Sequence, residues 1–188
     1  MLVQCMTGSA LLPTAIHNNK LYFLFGKERH NDDTPGWSDF GGGMDKGETV
    51  LQTAIRESQE EMTGFLGGDK EVKEILRRGT YKINHNNRYH VLICKLDYDD
   101  KLPFYYNNNS RFLHKRLDPA VIKNTKIFEK EEIRWVCVDE LPKMRPEFRV
   151  FYQEIVDKLI EQKNAIFKFS RGTNEKKRKT NKTRKLKN

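Results

Sequence analysis

The sequence predicts an α/β domain. Apolar strands recur in pairs around polar, Asn-rich turns. Between and after them lie segments of good helix formers with apolar residues at three- and four-residue spacing. At 188 residues and 37% hydrophobic content, the chain can bury one core. The expectation is one folded unit over residues 1–170 followed by an appendage over 171–188.

The run Ala10 to Ile16, the turn His17-Asn18-Asn19-Lys20 and the run Leu21 to Phe25 read as an opening hairpin, because Asn tolerates the left-handed backbone of tight turns. A polar stretch, GKERHNDDTPG, leads to a short strand at Trp37 to Phe40 and then to Gly41-Gly42-Gly43. Thr49 to Met62 contains no Pro or Gly and places Val50, Leu51, Ala54 and Ile55 together, which predicts a helix ended by Gly64, Gly67 and Gly68. Val72 to Lys82 and Arg88 to Tyr98 read as strands around Asn84 to Asn87. Asp99 to Lys126, with Pro103 and three successive Asn residues, reads as a long loop or insertion. Ile133 to Val138 is a last strand, and a final helix starts at Pro146.

Composition excludes several classes. Cys5, Cys94 and Cys137 are few, odd in number and far apart, which argues against a disulfide framework or a zinc site and for a reducing compartment. No run is apolar enough to span a bilayer, and the start lacks the basic segment of a secretory signal, so an intracellular, non-secreted protein is expected, with no membrane partner. The net charge is +9, but Arg171 to Asn188 holds nine Lys/Arg against Glu175 alone, so the body is nearly neutral. A basic architectural nucleic-acid binder is therefore excluded. The tail has no apolar periodicity and is expected to be disordered. It is a solubilising terminus, a nuclear-import signal around Lys176 to Lys179, or an arm that meets RNA or DNA phosphates.

The chemistry concentrates between Gly41 and Glu61. On a helix, Glu57, Glu60 and Glu61 fall at three- and four-residue spacing, so their carboxylates crowd one patch. Such crowding weakens a helix unless a hard divalent cation binds the oxygens. The glycines before the helix allow backbone to approach a metal or phosphate with no Cβ in the way.

Gly42, Glu48, Arg56-Glu57 and Glu60-Glu61 stand at the spacing of the Nudix box, G-x5-E-x7-R-E-U-x-E-E-x-G-U with U aliphatic, and fix six identities over twenty positions. The chain thus resembles the Nudix hydrolases. That resemblance implies an α/β/α sandwich with a mixed sheet between helices. It implies Mg²⁺ or Mn²⁺ held by Glu57, Glu60, Glu61 and the Gly42 carbonyl, with Arg56 and Glu48 orienting the cluster. It also implies cleavage of a pyrophosphate bond in a nucleoside diphosphate linked to X, meaning a nucleoside triphosphate, dinucleoside polyphosphate or nucleotide sugar. Related enzymes take their general base from the box or from a distal loop. Here Glu60 or Glu61 stands in the box, while Glu129, Glu131 and Glu132 are distal candidates or solvated loop charges.

Three departures from the pattern stand out: Ser58 at the aliphatic position, Thr63 where the closing glycine belongs with Gly64 one residue late, and Gly41 and Gly43 where many members have proline and a basic residue. Trp37, Phe40, Tyr105 and Tyr106 are base platforms or ordinary core, and Lys27, Arg29 and His30 are phosphate contacts or solvated loop charges. Two further readings are capped RNA as substrate and a non-catalytic binding module. The basic tail, the long insertion and an Asn- and Lys-rich style like that of large DNA viruses favour the first. The three box glutamates argue against the second.

Overall fold

The computed structural model describes residues 7–29, 33–125 and 127–172. The import signal, His30, Cys5 and residues 173–188 of the tail expected to be disordered lie outside these, while Arg171 and Gly172 are described. Seven strands form one mixed sheet: β1 (Gly8–His17), β2 (Lys20–Lys27), β3 (Trp37–Ser38), β4 (Phe40–Gly43), β5 (Thr80–His85), β6 (Tyr89–Lys95) and β7 (Glu132–Cys137). The spatial order is β3-β2-β1-β6-β5, with β4 also on β1 and β7 also on β2. Only β1 and β6 are parallel, as expected for strands joined by a crossover rather than a hairpin.

Both hairpins turn on Asn pairs with positive φ, Asn18 (48°) and Asn19 (59°), Asn86 (51°) and Asn87 (54°), matching the twist of the strands. β1 changes partner along its length. Gly8 to Leu11 pair with β4, Thr14 to His17 pair with β2, and Pro13, which has no N–H to give, sits in the gap between.

Strand alternation sorts the core into two layers. Leu12 of β1, Phe23 and Phe25 of β2, and Val91 and Ile93 of β6 face one side, where they meet Ile155, Val156 and Leu159 of α6 (Gln153–Glu161). Leu11, Leu24, Leu92 and Cys94 face the other, where they meet Ala54 and Ile55 of α1 (Val50–Glu61). The result is an α/β/α sandwich, as the family resemblance implied.

Some elements differ from the sequence reading. Val72 to Arg77 are helical, within α2 (Asp69–Arg77), because Val72, Ile75 and Leu76 follow a helical spacing and all three are buried. The strand expected over that stretch is confined to β5. The segment taken for a loop is two helices, α3 (Lys101–Arg116) and α4 (Pro119–Thr125). Polar contacts seat α3: the Asn107 amide donates to the Ile133 carbonyl at 3.0 Å and accepts from the Ile133 N–H at 2.8 Å, capping the edge of β7 as a neighbouring strand would. Pro146 lies only in a 3₁₀ turn, Arg145–Glu147. Phe148 is extended, and the helix proper waits until α6, since the chain first bends to lay Phe148 against Phe25 and pair with Trp37. A short α5 (Leu141–Met144) precedes it, and residues 163–172 form a last helix. Among the described residues, no helix is long and apolar enough to cross a membrane.

Candidate active site

Helix α1 is set by its cap. The Thr49 side chain accepts from the Gln52 N–H, the Gln52 side chain accepts from the Thr49 N–H, and the apolar pair Ala54 and Ile55 fixes the helix on the sheet. Leu51, expected on that face, is 47% exposed. Arg56, Glu57 and Glu60 remain partly open on another side, while Glu61 is buried.

Arg56 organises that side. Its Nε and Nη2 donate to the two oxygens of Glu48 at 2.8 and 3.0 Å, its Nη1 donates to Glu57 Oε1 at 2.7 Å, and its Nη2 donates also to the Gly43 carbonyl at 3.1 Å. One guanidinium thereby ties the loop, the helix and β4 together. The hydrogen bond from Arg56 and that from the Asp45 N–H hold the Glu48 carboxyl down at about 2. Burial raises Glu57, with Glu60 and Glu129 adding to the push against Arg56.

An open cleft of about 560 Å³ runs past this cluster. Gly41, Gly42, Gly43, Glu57 and Glu61 line it together with Arg29, His114, Lys123, Phe128, Glu129 and Arg149. Gly42 packs so closely on the Glu57 carboxylate that a Cβ there would lie 2.6 Å from its carbon. Gly41 lies on Ala10, where a Cβ would come within 2.5 Å of backbone, so no proline fits.

Beneath the cleft is a buried chain of charge. Glu61 Oε1 pairs with Lys130 Nζ at 2.9 Å, Lys130 pairs with Glu28, and Arg149 donates to Glu28 at 2.7 Å. Burial pushes Glu61 up to about 8 against the pull of Lys130, while Glu61 and Glu28 overcome the cost of burying Lys130 and keep it an ammonium. Close by, fully buried Asp39 accepts from the Tyr89 hydroxyl at 2.8 Å, and burial pushes its carboxyl up to about 7.

The fit to a divalent cation can be tested on these residues. Glu61 Oε2 is buried and has no hydrogen-bond partner among the described residues, and it belongs to a side chain lining the same cleft as Glu57 and Gly42. Those are hard oxygen donors of the right kind. Among the described residues no three His, Cys, Asp or Glu side chains already converge as a metal set. Arg56 engages Glu57, Lys130 engages Glu61, and Glu60, 3.7 Å from Arg56 Nη1, does not line the cleft. Glu57 and Glu61 fit a cation, with Glu60 the further ligand that has to turn inward, whereas the Gly42 carbonyl, expected as a ligand, lies against Gly8 of β1.

Of the other residues singled out by sequence, Arg29 lines the cleft. Its Nη2 donates to the Phe128 carbonyl at 3.1 Å and lies 2.9 Å from His114 Nδ1. Lys27 ends β2 outside the cleft. Trp37 is in the core on the α6 side, where Phe148 runs beside it and Arg134 lies 4.8 Å from its ring, so it is not a base platform in this cleft. Phe40 is core, Tyr105 is exposed, and Tyr106 is buried with its hydroxyl donating to the Glu61 carbonyl at 2.7 Å. Glu131 and Glu132 do not line the cleft, Glu132 being paired to Lys27 in β7, whereas Glu129 does.

The departures from the box are accommodated. Ser58 is fully buried and its hydroxyl donates to the Ile55 carbonyl at 2.9 Å. Thr63 itself adopts the left-handed backbone, φ 49°, and its hydroxyl accepts from the Phe128 N–H at 2.9 Å. Sequence reasoning missed Glu28, Lys130, Arg149 and His114. Strand alternation carried a signal for Glu28, four residues beyond Leu24 on the face that meets α1.

A family model, NUDIX domain, matches residues 14–159. A comparison with curated proteins gives no match. Among solved structures, an Ap4A hydrolase of C. elegans is similar at TM-score 0.50 and 18% identity, covering 86% of this chain and 96% of that one. RenU, a Nudix hydrolase of M. smegmatis, is similar at 0.49 and 14%, covering 86% and 88%. A mutT/nudix family protein of Listeria innocua is similar at 0.48 and 15%, covering 86% and 96%. With the charged positions of the box all present and the family model matching residues 14–159, the chain belongs to the Nudix family of pyrophosphohydrolases.

Proposed function

We propose that this protein hydrolyses a pyrophosphate bond in a nucleoside diphosphate linked to X, with Mg²⁺ or Mn²⁺ held by Glu57, Glu60 and Glu61. The observation that carries the reading is one cleft lined both by carboxylates beside a close-packed glycine backbone and by Arg29, Lys123 and Arg149. Oxygen donors suit a hard cation, and the cationic side chains suit the phosphates it would bridge. When bound, the ion supplies polarisation of the phosphoryl oxygens and a more acidic water.

The chain's own residues do the rest. Arg56 fixes Glu57 against Gly42, and Glu48 fixes Arg56. Arg29, Lys123 and Arg149 neutralise phosphate oxygens and orient the bridge for in-line attack. Ile122, Ile127 and Phe128 offer apolar surface to a base. As general base, Glu60 or Glu61 acts from the box, and Glu129 is the distal acid that faces the same cleft, in preference to Glu131 or Glu132.

Dinucleoside polyphosphates, nucleoside triphosphates and nucleotide sugars are the substrate classes of this reading. A second reading, capped RNA, is favoured by the nine Lys/Arg of residues 171–188. The test is phosphate and nucleotide release from a panel of these four classes with each metal. Turnover of one class, with KM raised about tenfold by Arg29→Ala or Lys123→Ala, supports the leading reading. Cleavage of capped RNA alone, weakened by truncation after Ser170, supports the second.

A further inference from the structure

Lys130 is fully buried, and its slot is built for it. Its Cγ and Cδ lie over Gly26, where a Cβ would come within 2.8 and 3.0 Å of them. The ammonium is 2.9 Å from Glu61 Oε1 and 3.3 Å from Ser38 Oγ, and it also pairs with Glu28 Oε1. Arg149 donates to that same Glu28 oxygen. Both acids line the cleft in which the divalent cation is placed above. A cation bridging two carboxylates at the floor of such a cleft is the arrangement a divalent ion would otherwise adopt there.

We propose that Lys130 is a fixed internal cation that replaces a divalent ion between Glu28 and Glu61. It removes Glu28 and one oxygen of Glu61 from the metal-ligating set, so that Glu61 offers only Oε2 to the bound metal. Lys130 is thus a positioning residue, acting through Glu61 without touching substrate. The inference rests on the metal-dependent reading above, and it concerns how many carboxylate oxygens the cleft presents.

Mn²⁺ titration of the full chain, followed by electron paramagnetic resonance, tests it without relying on turnover. Glu28→Gln is expected to leave the number and affinity of Mn²⁺ ions within about twofold of the unmodified protein, because Glu28 is not a ligand while Lys130 and Arg149 hold it. Lys130→Met frees two carboxylates, so it is expected to take up one more Mn²⁺ than the unmodified protein. The double variant is expected to lose that gain. A tenfold loss of Mn²⁺ affinity in Glu28→Gln overturns the proposal, as does a folded Lys130→Met that binds Mn²⁺ as before. Should Lys130→Met fail to fold, the Glu28→Gln titration alone decides. Absence of any Mn²⁺ uptake by the unmodified chain would instead take down the metal-dependent reading beneath it.

Discussion

Arg56 meets Glu48 through two parallel hydrogen bonds, Nε to Oε1 at 2.8 Å and Nη2 to Oε2 at 3.0 Å, and spends its remaining Nη1 on Glu57. This fork cannot be reproduced by an ammonium, which is a point charge on a flexible stem. Arg56→Lys is therefore expected to lower kcat by about 10- to 100-fold, the usual cost of losing an orienting partner, while KM changes little. Steady-state kinetics on the best substrate check the split. An equal fall in affinity would place Arg56 on the substrate instead.

Neighbouring glycines should fail in different ways. At Gly42 an added Cβ meets the Glu57 carboxylate, a side-chain end that can move, so Gly42→Ala is expected to lose activity while keeping its melting temperature within a few degrees. At Gly41 the Cβ would lie 2.2 Å from Ala10 Cβ and 2.5 Å from its Cα. Gly41→Ala is expected to lose about 3 kcal/mol or more, or not to fold. Thermal melts beside activity assays separate the two.

Thr63 combines a strained backbone with a useful hydroxyl. Thr63→Gly relieves the positive φ but loses the acceptor for the Phe128 N–H, and the two effects, each about 1 kcal/mol, nearly cancel. Thr63→Val keeps the strain and leaves the N–H without that partner, for an expected loss of about 1 to 3 kcal/mol. Urea unfolding of both variants is the check, and a Thr63→Gly protein less stable than Thr63→Val contradicts it.

Asp39 gives the protein a pH dependence of definite sign. Burial raises its carboxyl from 3.8 to about 7, so between those values the folded state keeps a proton that the unfolded chain has released. Its contribution is full below the ordinary carboxylate range and falls as pH rises towards 7. Asp39→Asn retains an acceptor for the Tyr89 hydroxyl and does not titrate. Relative to Asp39→Asn, the unmodified protein is expected to lose on the order of 2 to 4 kcal/mol between pH 4 and pH 7. Parallel stability curves for the two proteins across that range would contradict this.

Where one physical signal dominated, the sequence was readable. Asn pairs marked both hairpins, strand alternation marked β1, β2 and β6, and the apolar pair Ala54 and Ile55 marked α1 beneath the box. Helix α3 was missed because it buries little beyond Tyr106 and Ser110 and carries Pro103 and three successive Asn, while Asn107 and His114 seat it by polar contacts to Ile133 and Arg29. Helix α2 was misread because Val72, Ile75 and Leu76 belong to a short segment that also suits a strand. Trp37 could be read as base platform or as core from its place before the box, and it is core because Phe148, over a hundred residues later, pairs with it. The link from Lys130 to Glu28 and Glu61 likewise depends on long-range packing, with no local pattern to announce it.

The central claim is that Glu57 and Glu61 serve a divalent cation in pyrophosphate hydrolysis. Its most direct test is Mg²⁺- or Mn²⁺-dependent nucleotide release by the unmodified protein beside Glu61→Gln, with a thermal melt of each. The account predicts turnover that requires the metal and falls by about 10²-fold or more in Glu61→Gln, with the folded state retained. Turnover that survives in Glu61→Gln, or none from the unmodified protein with either metal, would contradict it.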